Sequence, residues 1–208
     1  MATPIVEIKN LSKIYHTLKE ETFAVKDFSL DVMEGEFVVL VGPSGCGKST
    51  ILSALAGLIQ PSGGEIRFNP SKVQDEDPSI GYMLQQDHLF QWRTILQNAI
   101  LGLEIQGKLN SESLERTHRL LEMYGLEEFK DHYPNQLSGG MRQRAALIRT
   151  LAIDPEILLL DEPFSALDYQ TRLAVADDIG TIIKKERRTA IMVTHDIAEA
   201  ISPKGPKA

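Results

Sequence analysis

The sequence predicts an α/β protein with a parallel-sheet core, an N-terminal antiparallel β subdomain and a helical subdomain inserted into the core. Three observations carry that prediction. The opening stretch alternates, with Val6 and Ile8 against Glu7 and Lys9, then Phe28, Leu30 and Val32 against Ser29 and Asp31, as in half-exposed antiparallel strands. Phe37–Val41 is instead a continuous apolar run rich in valine, the pattern of a strand buried on both faces. Similar runs recur at 157–160 and 191–193 after helical stretches, and strands separated by helices form a parallel sheet with right-handed crossovers.

Taken in order, Ile66 and Phe68 add a third strand to the antiparallel set. After the apolar run come GPSGCGKST and a helix whose apolar face is Ile51, Leu52, Leu55 and Leu58. Gly57 is expected within that helix at a small cost, and Pro61 follows it. Residues 80–84 form a weaker strand candidate. Between about 89 and 140 the period turns helical, with Leu114, Leu120, Leu121 and Tyr124 on one face and Gly125 as the stop, which predicts the inserted lobe. Residues 1–208 are expected to form one domain, with 202–208, SPKGPKA, as an unstructured or truncated tail.

Composition narrows the functional classes. At 208 residues, 42% hydrophobic and 25% charged, the chain reads as globular and not as disordered. Lys and Arg number 22 against 29 Asp and Glu, a formal charge of −7, which argues against broad, sequence-independent binding to nucleic-acid backbones. A single cysteine, Cys46, excludes an internal disulfide framework and a cysteine-rich zinc site and suits a reducing compartment. No uncharged apolar stretch approaches a membrane span, and MATPIVEIKN lacks the layout of a signal peptide, so a cytosolic protein is expected.

Two motifs carry chemistry. Gly42, Pro43, Ser44, Gly45, Cys46, Gly47, Lys48, Ser49 and Thr50 form a P-loop between a buried strand and a helix. Its glycines let backbone N–H groups close around an anion, and the helix N-terminus adds partial positive charge. Lys48 is expected to reach the β and γ phosphates of a nucleotide, and the Ser49 hydroxyl to hold Mg²⁺. The second motif is an apolar strand ending in Asp161 and Glu162. Mg²⁺ favours oxygen ligands, so one carboxylate suits the metal. Its neighbour can activate water, and alternation along a strand aims the two side chains differently.

A third segment separates this chain from other P-loop NTPases. Leu137-Ser138-Gly139-Gly140-Met141-Arg142-Gln143-Arg144 resembles the signature of ATP-binding-cassette (ABC) ATPases. The order of the other motifs agrees. Gln85 in GYMLQQD is similar to the Q-loop glutamine that contacts Mg²⁺ and the attacking water. Residues 165–168, ending in Asp168, are similar to the D-loop, and His195 in Val-Thr-His-Asp to the switch histidine. Tyr15 lies where the family stacks an aromatic ring on adenine, with a buried core tyrosine as the other reading. His16, His88, His118 and His132 have no such context and read as surface or lobe residues.

The resemblance runs from about residue 6 to residue 200 and implies an ATP hydrolase with Glu162 as base, Gln85 and His195 beside it, and Ser49, Gln85 and Asp161 toward Mg²⁺. It also implies a head-to-tail homodimer in which Ser138, Gly139 and Gly140 of one subunit reach the γ-phosphate held by Lys48 of the other. The run LSGGMRQRAALIRTLAIDPEILLLDEPFSALD looks most like importer cassettes of the nitrate/sulfonate/taurine group. Such a cassette works at the cytoplasmic face of the membrane with permease subunits and, indirectly, an extracytoplasmic solute-binding protein. Trp92 is then an apolar anchor for the permease or else a core residue. Cassettes of that group continue further past the switch histidine, which is why the tail is expected to be truncated. The alternatives are a soluble ABC ATPase serving nucleic acid or translation, and a truncated nucleotide-binding module with low turnover.

Overall fold

Two kinds of strand pattern give two sheets. A computed structural model describes residues 3–16, 21–69, 78–164 and 188–196. Strands β1 (Val6–His16), β2 (Glu21–Val32) and β4 (Gly63–Phe68) form an antiparallel sheet in the order β2-β1-β4. Strands β3 (Phe37–Val41), β5 (Ile80–Met83), β6 (Ile157–Asp161) and β7 (Thr189–Thr194) form a parallel sheet in the order β3-β7-β6-β5. The chain is therefore an α/β protein with an antiparallel subdomain, as the sequence predicts. The tail expected at 202–208 lies outside the described residues.

Strands β6 and β7 are buried along their whole length, and period-two alternation divides their side chains between two cores. Ile157, Leu159, Ile191 and Val193 join Val6, Ile8, Leu11 and Val32 of the antiparallel sheet, together with Leu52 and Leu55 of α1 (Lys48–Leu55). Leu158, Leu160, Ala190 and Met192 face the other way. They pack with Ala145, Ala146, Leu147 and Ile148 of α5 (Gly139–Ala152) and with Leu121, Tyr124 and Leu126. Between β5 and α5 lie α2 (Ile95–Ala99), α3 (Leu101–Ile105) and α4 (Ser111–Met123). Thr94 caps α2 and Asn110 caps α4, each in a reciprocal capping box, and Gly125 at φ 65° follows the end of α4.

Two details depart from the sequence reading. Strand β3 meets a core on each face, with Phe37 and Val39 on one and Val38 and Leu40 on the other. It is less buried than expected: among the described residues it pairs only with β7, only Phe37 is fully buried, and Val41 is exposed. Its valines satisfy an edge strand as readily as a central one. Helix α1 ends at Leu55 with Ala56 as C-cap, so Gly57, at φ 70°, terminates the helix instead of lying within it. Leu58 then falls beyond the helix and is 64% exposed, not part of its apolar face.

Candidate active site

The P-loop follows β3 and opens α1, with Gly47 as the N-cap at φ 95°. A Cβ on Gly47 would lie 2.1 Å from the Ala24 carbonyl oxygen of β2, so the loop can pass this close to the antiparallel sheet only with glycine there. Lys48 is 8% exposed, and its ammonium donates to the Gly42 carbonyl at 2.7 Å and the Pro43 carbonyl at 2.8 Å. A buried ammonium must be paired, and here the loop's own carbonyls serve. Cys46 Sγ is 3.9 Å from the same nitrogen.

Strand β6 delivers the second half of the site. The Ser49 hydroxyl donates to Asp161 Oδ1 at 2.9 Å, and Asp161 is buried at the end of the strand. Burial pushes the Asp161 carboxyl above the ordinary aspartate range, the Ser49 hydrogen bond opposes that, and the charge of Glu162 adds to it. A serine hydroxyl beside a buried carboxylate is an oxygen donor set suited to Mg²⁺, so the residues present fit that ion.

Glu162 takes φ 46°, a left-handed conformation uncommon for a residue with a side chain, and its N–H donates to the Val193 carbonyl at 3.0 Å. Its carboxylate is held from two sides. Gln85 Nε2 donates to Oε2 at 3.1 Å, and His195 Nδ1 lies 3.1 Å from Oε1. Gln85 after β5 and His195 after β7, far apart in sequence, thus converge on the carboxylate that follows β6. A cavity of about 250 Å³ is lined by Gly45, Gly47, Lys48, Ser49, Gln85 and Glu162, among others.

Ser138 caps α5, its hydroxyl accepting from the Met141 N–H at 3.3 Å, and is exposed. Neither Ser138, Gly139 nor Gly140 lines the P-loop cavity. Gly139 lines a separate cavity of about 420 Å³ with Gln85, Asp87, Arg142 and Gln143. Tyr15 is 44% exposed on β1 with the Lys13 ammonium 5.3 Å from its ring centroid, so it is not a buried core tyrosine. Trp92 is 71% exposed against the ring of Phe90 and is not a core residue either. Asp168 and its loop lie outside the described residues. Several supporting residues escaped the sequence reading. Tyr82 reaches Asp161. Arg142 pairs with Asp87 at 3.0 Å, and Gln143 Nε2 donates to the Glu162 carbonyl. The fully buried Asn98 ties down the loop before α2.

A sequence profile of the ABC transporter family matches residues 25–165, more than half of the chain. The chain belongs to the ABC transporter family. This ABC ATPase is 48% identical over 197 residues to the uncharacterized ABC transporter ATP-binding protein YtlC of Bacillus subtilis, covering 95% of this chain and 76% of that protein. It is 38% identical over 196 residues to the nitrate import ATP-binding protein NrtD of Synechocystis, covering 94% and 74%. In three dimensions it is similar to a solved dimer of an ATP-binding cassette in a post-hydrolysis state bound to ADP and Pi. The TM-score is 0.84 with 36% identity, covering 96% of this chain and 91% of that one. The protein is an ATP-hydrolysing transporter cassette of a kind that forms dimers. No helix among the described residues is long and apolar enough to cross a membrane.

Proposed function

We propose that this ABC ATPase powers the import of a small solute of the nitrate, sulfonate or taurine kind. The observation that carries the mechanism is the convergence of Gln85 and His195 on Glu162, beside the Ser49–Asp161 pair. The likeness to a nitrate import cassette supports the solute class.

In this reading the backbone of residues 42–47 and the side chains of Lys48, Ser49 and Thr50 bind the phosphates of ATP. Lys48 exchanges its two loop carbonyls for phosphate oxygens, at little cost because the ammonium is already desolvated. Ser49, Asp161 and Gln85 would hold Mg²⁺, which when bound offsets the charge that builds on the phosphate oxygens. Glu162 takes a proton from water as its oxygen attacks the γ-phosphorus, the bond to the β-phosphate oxygen breaks, and ADP leaves. His195 and Gln85 fix the carboxylate for that step, and Tyr15, exposed on its strand, stacks on adenine.

Ser138, Gly139 and Gly140 lie outside the P-loop cavity of their own chain, which supports their acting on the nucleotide of a partner subunit. The free N–H groups at the start of α5 then face the γ-phosphate across a head-to-tail homodimer, with Asp168 assigned to the same interface. ATP bridges the two halves, and hydrolysis removes the charge that joins them. Residues 89–140 form the lobe that meets permease subunits at the cytoplasmic face of the membrane, with Trp92 as apolar anchor. An extracytoplasmic solute-binding protein delivers the solute to those subunits.

The test is Glu162→Gln. ATP binding should persist and MgATP should shift the variant to a dimer on size exclusion. Steady-state hydrolysis should fall by at least about 100-fold, the scale of a lost general base. Hydrolysis at the parental rate would remove Glu162 from the role of base.

A further inference from the structure

The geometry points to Tyr82 as a positioning residue that fixes the Asp161 carboxylate for Mg²⁺. The inference rests on the reading of Asp161 as a metal-facing carboxylate and extends it to a residue on another strand. Tyr82 is half-buried on β5, paired in register with Leu159 of β6, two residues before Asp161. Its hydroxyl donates to Asp161 Oδ2 at 3.5 Å, while the Ser49 hydroxyl donates to Oδ1 at 2.9 Å. Each carboxylate oxygen therefore has its own donor, and the two together oppose rotation of the carboxylate plane.

The phenol is itself restrained. Ser53 Oγ lies 3.4 Å from Tyr82 Oη, and Ser53 stands one helical turn after Ser49 on α1. Helix α1 thus contacts Asp161 twice, directly through Ser49 and through Ser53 and Tyr82. The Tyr82 ring packs into the core between the two sheets, so the hydroxyl sits on a rigid stem. Mg²⁺ demands near-ideal octahedral geometry, so a carboxylate free to swing binds it less well, while a more tolerant ion such as Mn²⁺ loses less.

The test compares ATP affinity by calorimetry in EDTA, in Mg²⁺ and in Mn²⁺ for the parent chain, Tyr82→Phe and Asp161→Asn. Tyr82→Phe should leave affinity in EDTA unchanged, weaken affinity in Mg²⁺ by about threefold to tenfold, and weaken it less in Mn²⁺. A merely structural hydroxyl would shift the urea midpoint without this split between metals. If Asp161→Asn abolishes the gain from Mg²⁺ while Tyr82→Phe binds Mg²⁺-ATP like the parent, the positioning role is overturned and the reading of Asp161 stands. If Asp161→Asn keeps the full gain, the reading of Asp161 fails and the positioning role with it. Should Tyr82→Phe not fold, Ser53→Ala probes the same contact from α1. It should show a smaller loss in the same direction, and parental Mg²⁺ dependence in that variant overturns the proposal.

Discussion

Gly47 couples the P-loop to the antiparallel sheet through one close approach to the Ala24 carbonyl that leaves no room for a Cβ. Gly47→Ala would place a methyl 2.1 Å from that oxygen at φ 95°, a backbone region alanine rarely adopts. The strain is of order 1–3 kcal/mol, so a lower urea midpoint together with lost ATP binding by calorimetry is expected. Asp154 supplies a second prediction at the residue scale. Burial alone would raise its carboxyl, but the hydrogen bond and charge of Arg116, with the charges of Arg188 and Lys108, hold it below the ordinary aspartate range. A folded pKa below the unfolded value contributes stability above the unfolded pKa, and that contribution is lost as pH falls through the folded one. Urea midpoints of Asp154→Asn should therefore lie below those of the parent near neutral pH, with the gap closing as the solution is acidified past the ordinary aspartate range.

At the scale of elements, Asn98 of α2 organises the loop that carries Trp92. Its side chain accepts from the Phe90 N–H at 2.8 Å and donates to the Phe90, Arg93 and Thr94 carbonyls. Asn98→Ala would leave the part-buried Phe90 N–H and Arg93 carbonyl without their side-chain partner, at a cost of about 1–3 kcal/mol. Trp92 is the sole tryptophan, so its emission should report loosening of the loop before global unfolding. The elements themselves were legible where periodicity is local. Alternation gave β1, β2 and β4, the apolar runs gave β6 and β7, and Gly125 gave the stop of α4. The end of α1 was not, because a glycine in an apolar stretch reads alike as an interior cost or a terminating left-handed residue. In the site, motif residues were legible as patterns, and Glu162, Gln85 and His195 do meet. Tyr82, Asn98 and the Asp87–Arg142 pair were not, because each acts through a contact between elements that no sequence spacing encodes.

At the scale of the whole molecule, the separation of Ser138 from the P-loop cavity gives a complementation test. A Lys48→Ala chain and a Ser138→Arg chain should each be inactive alone. Mixed, they should recover part of the ATPase activity, since one of the two sites in each mixed dimer keeps an intact P-loop and an intact α5 terminus. Phosphate release at a series of mixing ratios checks this, and a flat, inactive series would count against a site shared between subunits.

The strand order has a consequence for biosynthesis. Strand β3, which leads into the nucleotide loop, pairs with β7, the last strand described, and these lie about 150 residues apart. Translation at about 5–20 residues per second leaves β3 without that neighbour for some 7 to 30 seconds on each nascent polypeptide. During that interval the nascent chain carries a strand whose edge has no partner, the kind of edge on which another chain can pair. Codon choice between these two strands would therefore bear on the yield of assembled cassette.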